Sequence, residues 1–384
     1  LKNDRARIQV GRISGFGLME MSRQRLRTGV LEASTRECPH CDGTGLVRTA
    51  SSAGLSALRL IEDEAAKGKG TQIRLSASTE AAVYLLNAKR GDLAEIEARY
   101  GVDKEVVVAV WGMESAYGAH RGTKPVIGSL ATLAHNGRRG AFFEEQLIAA
   151  LKILQNGDTA PETMTGSWAG AMGHTQFIPT TYQAHAADFA GDGRRDIWSD
   201  DPTDGLASAA AYLSDSGWRR GMPWGLEVRL PSGFNAGLAG RGRRRPVSEW
   251  STLGVRSAGG GAPPDHGPAA LLLPQGASGP AFLAFRNFDV ILRYNNSDNY
   301  ALGVSFLGER IAGRSGIQGG WPRNDRPLST AERKEIQQRL RAQGYYDGEI
   351  DGLFGSGTMT AVAAYQRARG VTPDGYPTSI LLDQ

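Results

Sequence analysis

The apolar positions of the chain are densest between Val106 and Trp111 (V-V-V-A-V-W), and this run closes on Gly112, Met113 and Glu114. A helix opening near Asp103, a residue type suited to the N-cap, would carry Val106, Val107, Val108, Val110 and Trp111 around its circumference and is predicted to be buried on most sides. Glu114 falls at its C-terminal end. Burial and the negative end of a helix dipole both disfavour an ionised carboxylate, so this carboxyl should keep its proton near neutrality and could act as a general acid. A structural glutamate paired with an arginine would leave the same pattern. Far downstream the 3.6-residue period returns. A helix from Thr330 places Ile336 and Leu340 on one face, D-G-L-F-G makes a turn, and a second helix from Thr358 turns Val362 and Tyr365 inward. The text between Ser257 and Pro280 is rich in Gly, Ala and Pro and reads, on composition, as an interdomain linker.

At 384 residues with 40% hydrophobic content, the chain is long enough for two or three packed domains. No run approaches the length of a membrane span, and the first thirty residues are charged throughout, without the apolar core of a secretory signal. As written, nothing exports it. The net charge of +4 suits any polyanion, from RNA to the carboxylate-bearing peptidoglycan mesh, and identifies neither. The opening is dense in Lys2, Arg5, Arg7, Arg12, Arg23, Arg25 and Arg27, with hardly an aromatic beyond Phe16 to stack bases. Two cysteines, Cys38 and Cys41, exclude a disulfide scaffold. Their spacing supplies half of a tetrahedral zinc site, which two copies of the chain would complete; a pair of metal-free thiols is the alternative.

The motifs D-R-A-R-I-Q-V-G-R-I-S, F-G-L-M-E-M-S-R-Q-R-L, C-P-H-C-D-G-T-G, L-R-L-I-E-D-E-A and V-Y-L-L-N-A-K-R resemble the ribonuclease E/G family, continuously from Leu1 to about Val102. The resemblance implies an α/β segment in which Cys38 and Cys41 are zinc ligands linking two protomers, and it makes RNA a candidate partner. The aspartates that hold that family's catalytic magnesium lie upstream of the matching region, so no ribonuclease activity is expected.

From about Ala98 the chain changes allegiance. W-G-M-E-S-A-Y-G, P-V-I-G-S-L-A-T-L-A, G-S-W-A-G-A-M-G-H-T-Q-F-I-P-T-T-Y, G-D-G-R-R-D-I-W and F-D-V-I-L-R-Y-N-N-S together resemble the lytic murein transglycosylase B family over roughly Glu97 to Gly313. The resemblance implies a lysozyme-like, mainly helical domain that cleaves the bond between N-acetylmuramic acid and N-acetylglucosamine and leaves a 1,6-anhydro end, with no cofactor required. Matching positions imply Glu114 as the single acid and base, with Ser167, Gln176, Tyr294 and Asn295 lining the reaction centre. A 2-acetamido group can stabilise its own oxocarbenium-like centre, which leaves one protein carboxyl to serve both proton transfers. Trp111, Tyr117, Trp168 and Tyr182 offer faces for sugar rings, although each of these aromatics would serve equally as core.

Some members of that family carry an EF-hand-like site where this chain reads D-F-A-G-D-G-R-R-D-I-W-S-D-D-P-T-D. Ala190 and Arg194 stand where oxygen donors would be wanted, leaving Asp188, Asp192 and Asp204, short of the six or more that calcium takes. A solvated acidic loop is expected, without calcium. Because R-Y-N-N-S lies beyond it, the stretch from Ser257 to Pro280 becomes an irregular insert around Leu271 to Leu273, and the linker moves to Ser315 to Pro327. The text after it resembles the peptidoglycan-binding type 1 module, which implies a tether to peptide stems.

The expected architecture is α+β and predominantly α: residues 1–100 ribonuclease E/G-like, 101–314 catalytic, 315–327 linker, and 328–384 a small three-helix wall-binding module. The transglycosylase function implies the periplasm, and the N-terminal segment the cytoplasm.

Overall fold

The computed structural model describes residues 90–135, 139–322, 326 and 328–383, together with the backbone of four short strands nearer the N-terminus. Those strands form two antiparallel pairs, β1 (Arg7–Val10) with β2 (Met21–Gln24) and β3 (Thr35–Glu37) with β4 (Leu46–Arg48). They belong to a compact unit, Leu1–Leu85, distinct from a second unit, Leu86–Gln384. Cys38 and Cys41 lie outside the described residues.

In the second unit, helices α1 (Arg90–Tyr100) and α2 (Lys104–Ser115) pack against α6 (Thr203–Asp215), while α3 (Val126–His135) packs on α4 (Gly140–Gln155), and α5 (Pro179–His185) on α4 as well. Residues 90–100, expected to close the N-terminal segment, thus sit in this helical core, with Leu93 and Ile96 fully buried. The junction is held by Lys104, whose Nζ lies 3.0 Å from Glu97. Asp103 precedes α2 as expected, but its side chain makes no capping bond; it accepts a 3.0 Å hydrogen bond from the Trp218 indole instead. Val107, Val108, Ala109, Val110 and Trp111 are buried, since α2 is covered by α6 on one side and by α9 (Asp298–Ile311) on another.

A five-stranded antiparallel sheet follows, in the order β8 (Arg244–Arg245), β10 (Ala269–Leu272), β12 (Ala281–Ala284), β7 (Gly225–Arg229), β9 (Arg256–Ser257). The stretch expected to be an irregular insert around Leu271 is therefore a central strand, with Leu271 opposite Leu283, and β11 (Pro274–Ala277) comes directly after it. Ala269 to Leu272 are all buried, so the strand lacks the polar alternation that would have announced it. Trp250, on α7 (Val247–Thr252), closes over the sheet and donates its indole N–H to the Ala269 carbonyl at 2.9 Å.

The chain returns through α8 (Arg286–Tyr294) and α9, then crosses to the C-terminal helices α10 (Thr330–Ala342), α11 (Ser356–Ala368) and α12 (Ile380–Asp383). The crossing is anchored: Glu227 on β7 accepts from the amides of Gln318 and Gly319. A capping box of Ser329 and Glu332 starts α10, and Ile336, Leu340, Val362 and Tyr365 form the core of this module. Two buried glutamines repeat one device. Gln337 grips the Asp351–Gly352 turn and Gln366 the Asp374–Gly375 turn, each amide donating to the aspartate and accepting from the glycine N–H. Asp374 also takes the Ala277 amide at 2.9 Å, joining the module to the end of β11.

Among the described residues, no helix is long and apolar enough to cross a membrane.

Candidate active site

Glu114 occupies the last turn of α2. The helix stops there because Ala116 and Tyr117 both take left-handed backbone conformations, with φ of 48° and 60°. Gln176, at φ 53°, is the third non-glycine residue of this kind among the described residues. Such positions cost on the order of 1–3 kcal/mol each and persist only where the surroundings enforce them. A Cβ on Gly112 would come within 2.7 Å of the Tyr117 ring, which would have to shift.

The Glu114 carboxyl is largely buried, and burial pushes its pKa up from 4.5 to about 7. The one opposing influence is Tyr300 on α9, whose hydroxyl donates to Glu114 Oε1 at 2.6 Å. Burial raises the pKa of Tyr300 itself well above 10, so it remains a donor. Its ring stacks on that of Tyr294 at 6.5 Å between centroids and 13° between planes, and Tyr294 donates to the Thr175 carbonyl at 2.7 Å. Tyr212, edge-on to Tyr294 at 5.0 Å, completes an aromatic wall.

Next to Thr175, the Gln176 amide nitrogen donates to the carbonyls of Gly173 (2.8 Å) and Arg121 (3.1 Å), which leaves its oxygen to accept. The Ser167 hydroxyl oxygen accepts from the amides of Ala169 and Ala171, which leaves its proton to donate. Ser167 and Gln176 share one small ribbon, tied by bridges from Gly166 to Met172 and from Met172 to Phe177. Gly122 is pressed against the Gly166 carbonyl there, at 2.3 Å from where a Cβ would sit, so no larger residue fits. Asn295 caps α8 and is exposed.

Of the four aromatics expected to face sugars, the structure leaves one open. Trp168 is 69% exposed beside a groove of about 500 Å³ lined by Lys124, Pro125, Gly128, Ser129, Thr132 and Leu133. Tyr117 is half-buried, edge-on to Trp111 at 5.5 Å, and its pKa is raised by burial to about 12. Tyr182 and Trp111 are core residues: Tyr182 is fully buried with its hydroxyl on the Arg195 carbonyl at 2.6 Å, and Trp111 is 4% exposed. Neither can present a face to a ligand.

Asp188, Asp192 and Asp204 do converge, with one carboxylate oxygen of each within 4.8 Å of the others. Their oxygens are already engaged by the loop's own amides. Asp188 accepts from Gly191, Asp192 and Gly193, and Asp204 from Phe189, Ala190 and Asp196. By themselves the three carboxylates are fewer than the roughly six to eight oxygens that calcium takes.

Sequence reasoning missed Tyr300, which stands six residues beyond Tyr294 on the next helix and 186 positions from Glu114. No periodicity links residues so far apart; only the packing of α9 on α2 does.

The family model of the transglycosylase SLT domain matches residues 71–309, well over half of the chain. The chain belongs to the SLT-domain family. A peptidoglycan binding domain model matches residues 329–384. Among curated relatives, the SLT-domain chain is 34% identical to membrane-bound lytic murein transglycosylase B of Escherichia coli over 223 residues, covering 56% of this chain and 58% of that protein. It is 50% identical to ribonuclease E of Buchnera aphidicola over 107 residues, 28% of this chain and 12% of that enzyme. The chain thus spans less than two thirds of either relative. Among solved structures, SltB3 from Pseudomonas aeruginosa in complex with NAG-NAM-pentapeptide matches at a TM-score of 0.76 and 48% identity, over 88% of this chain and 86% of that one. SltB3 has also been solved with NAG-anhNAM-pentapeptide. SLT35 from Escherichia coli in complex with calcium matches at 0.53 and 29%, over 67% and 82%. The chain thus carries a ribonuclease E-like part together with the SLT-domain match and the peptidoglycan binding match.

Proposed function

We propose that this protein is a lytic murein transglycosylase that cleaves the β-1,4 bond between N-acetylmuramic acid and N-acetylglucosamine, with Glu114 as its only catalytic acid and base. The observation that carries this reading is the Glu114 carboxyl itself, poised near neutrality by burial and held by one neutral donor, Tyr300. As an acid it protonates the glycosidic oxygen, and the bond to C1 breaks. As a carboxylate it then takes the proton of the muramyl C6 hydroxyl while that oxygen bonds to C1, closing the 1,6-anhydro ring and restoring the acid. Developing charge at C1 is met by the substrate's own acetamido group. Ser167 and Gln176 suit the two ends of that group, a hydroxyl proton for its carbonyl and an amide oxygen for its N–H. Tyr294, stacked on the Tyr300 ring, stands next to the donor of Glu114, and the same reading assigns substrate contacts to Tyr117 and Asn295. Trp168 supplies the exposed face on which a sugar ring can lie, and Lys124 beside it suits a substrate that carries carboxylates.

The C-terminal module tethers the enzyme to its polymer, and action on that polymer supports a periplasmic location. For the N-terminal segment, the two thiolates of Cys38 and Cys41 would meet two more from a second copy in a closed zinc site, and the basic opening leaves RNA as a candidate contact. Digestion of purified sacculi followed by mass spectrometry tests the central reading. Anhydro-muropeptides are expected from the wild type and none from Glu114→Gln, with sacculus binding unchanged; anhydro products from the mutant would refute the assignment.

A further inference from the structure

His174 is buried to 2% exposure between the helix that bears Glu114 and the loop that bears Gln176. Its Nδ1 lies 3.1 Å from the Trp111 indole nitrogen. An indole N–H can only donate, so Nδ1 is the acceptor and the ring proton resides on Nε2. Nε2–H in turn meets the Ser199 carbonyl at 2.7 Å. The backbone of the same residue is equally engaged. Its carbonyl takes the Ser115 hydroxyl at 2.6 Å, and its amide donates to Ile197 at 3.0 Å. Trp111 and Ser115 are four apart on α2 and flank Glu114, three residues before it and one after. On the other side of His174, the next residue offers the carbonyl that holds Tyr294, and the one after is the left-handed Gln176.

There is no slack around the ring. A Cβ on Gly118 would lie 2.5 Å from it, and one on Gly205 would lie 3.1 Å from the His174 Cβ. The polar groups facing it are few. The last turn of α2 offers Trp111 and Ser115, the following turn offers Arg121 at 3.2 Å from Nε2, and the loop before α6 offers Asp196, Ser199 and Asp200, the last paired with Arg121 at 2.8 Å.

We propose that His174 is the positioning residue of this reaction centre: as the Nε2–H tautomer it clamps the last turn of α2 to the loop of Thr175 and Gln176, and so fixes Glu114 relative to the groups that hold the substrate. A second proton on the ring would set Nδ1–H against the indole N–H and open the clamp. Burial and the Arg121 charge both hold the ring below the ordinary histidine pKa, which favours the neutral tautomer that the clamp needs. Cleavage should therefore carry an acid limb that Glu114 alone, which must begin protonated, would not produce.

The inference rests on the reading of Glu114 as the acid, and the test separates the two. Wild type, His174→Gln and His174→Leu are compared in the full chain on soluble glycan strands, measuring kcat, KM and the pH profile. A glutamine offers an oxygen to the indole and an N–H to Ser199, so His174→Gln should keep kcat within about threefold while its acid limb disappears, whereas His174→Leu should lose roughly tenfold or more in kcat with KM nearly unchanged. If His174→Leu does not fold, Trp111→Phe deletes the indole donor and should lower kcat in the same way. A wild-type kcat in His174→Leu or Trp111→Phe overturns the proposal, as does an acid limb that persists in His174→Gln. Absence of anhydro products from the wild type would instead refute the function.

Discussion

Replacing Glu114 by Gln should stabilise the folded chain at neutral and alkaline pH while it abolishes cleavage. The folded-state pKa of about 7 stands above the ordinary 4.5, so between those values the native state binds a proton that the unfolded chain has released. Stability contributed by this proton is complete below pH 4.5 and is lost as pH rises through 7. The gap between 4.5 and about 7, at about 1.4 kcal/mol per pH unit, comes to about 3 kcal/mol carried against folding by the wild-type carboxylate at pH 8. Gln carries no such charge and still accepts from Tyr300. Paired thermal melts of wild type and Glu114→Gln at pH 4.5 and pH 8 therefore should coincide at the lower pH and separate at the higher, the mutant melting several degrees above wild type, since about 2–4 °C accompanies each kcal/mol in a domain of this size. Curves separated equally at both pH values would show that Glu114 is not held as an acid by burial, and would remove the electrostatic basis for its role.

Three other outcomes are expected. Tyr300→Phe deletes the donor that favours the carboxylate, so the alkaline limb of kcat/KM should move upward by about one pH unit, a hydrogen bond to a charged group being worth about 1.5–3 kcal/mol; an unmoved limb in an active mutant would exclude this role. Trp168→Ala should raise KM without altering the melting temperature, whereas Tyr182→Phe should leave KM alone and cost about 1–3 kcal/mol by orphaning the Arg195 carbonyl, and the reverse pattern would exchange their roles. Native mass spectrometry after reconstitution should find one zinc per two chains, lost in Cys38→Ser; a zinc-free monomer would count against the intermolecular site.

The sequence by itself determined a great deal that depends on local order. The run from Val106 to Trp111 announced a buried helix with Glu114 at its end, because burial and periodicity are written along a single element. The inward Ile336, Leu340, Val362 and Tyr365 belong to the same kind of text. Long motifs identified the ribonuclease-like and transglycosylase-like parts of the hybrid. What only tertiary structure decided are the pairings across distance. Tyr300 reaches Glu114 because α9 packs on α2, and His174 meets Trp111 because the loop after β6 (Thr165–Gly166) folds under that helix. Packing also withdrew Tyr182 and Trp111 from the ligand side, since an aromatic residue reads alike in a sequence whether it faces solvent or core. It turned Ala269 to Leu272 into a central strand as well: a segment buried on both faces has no alternation to show, and its small residues read as linker until neighbouring strands supply their hydrogen bonds.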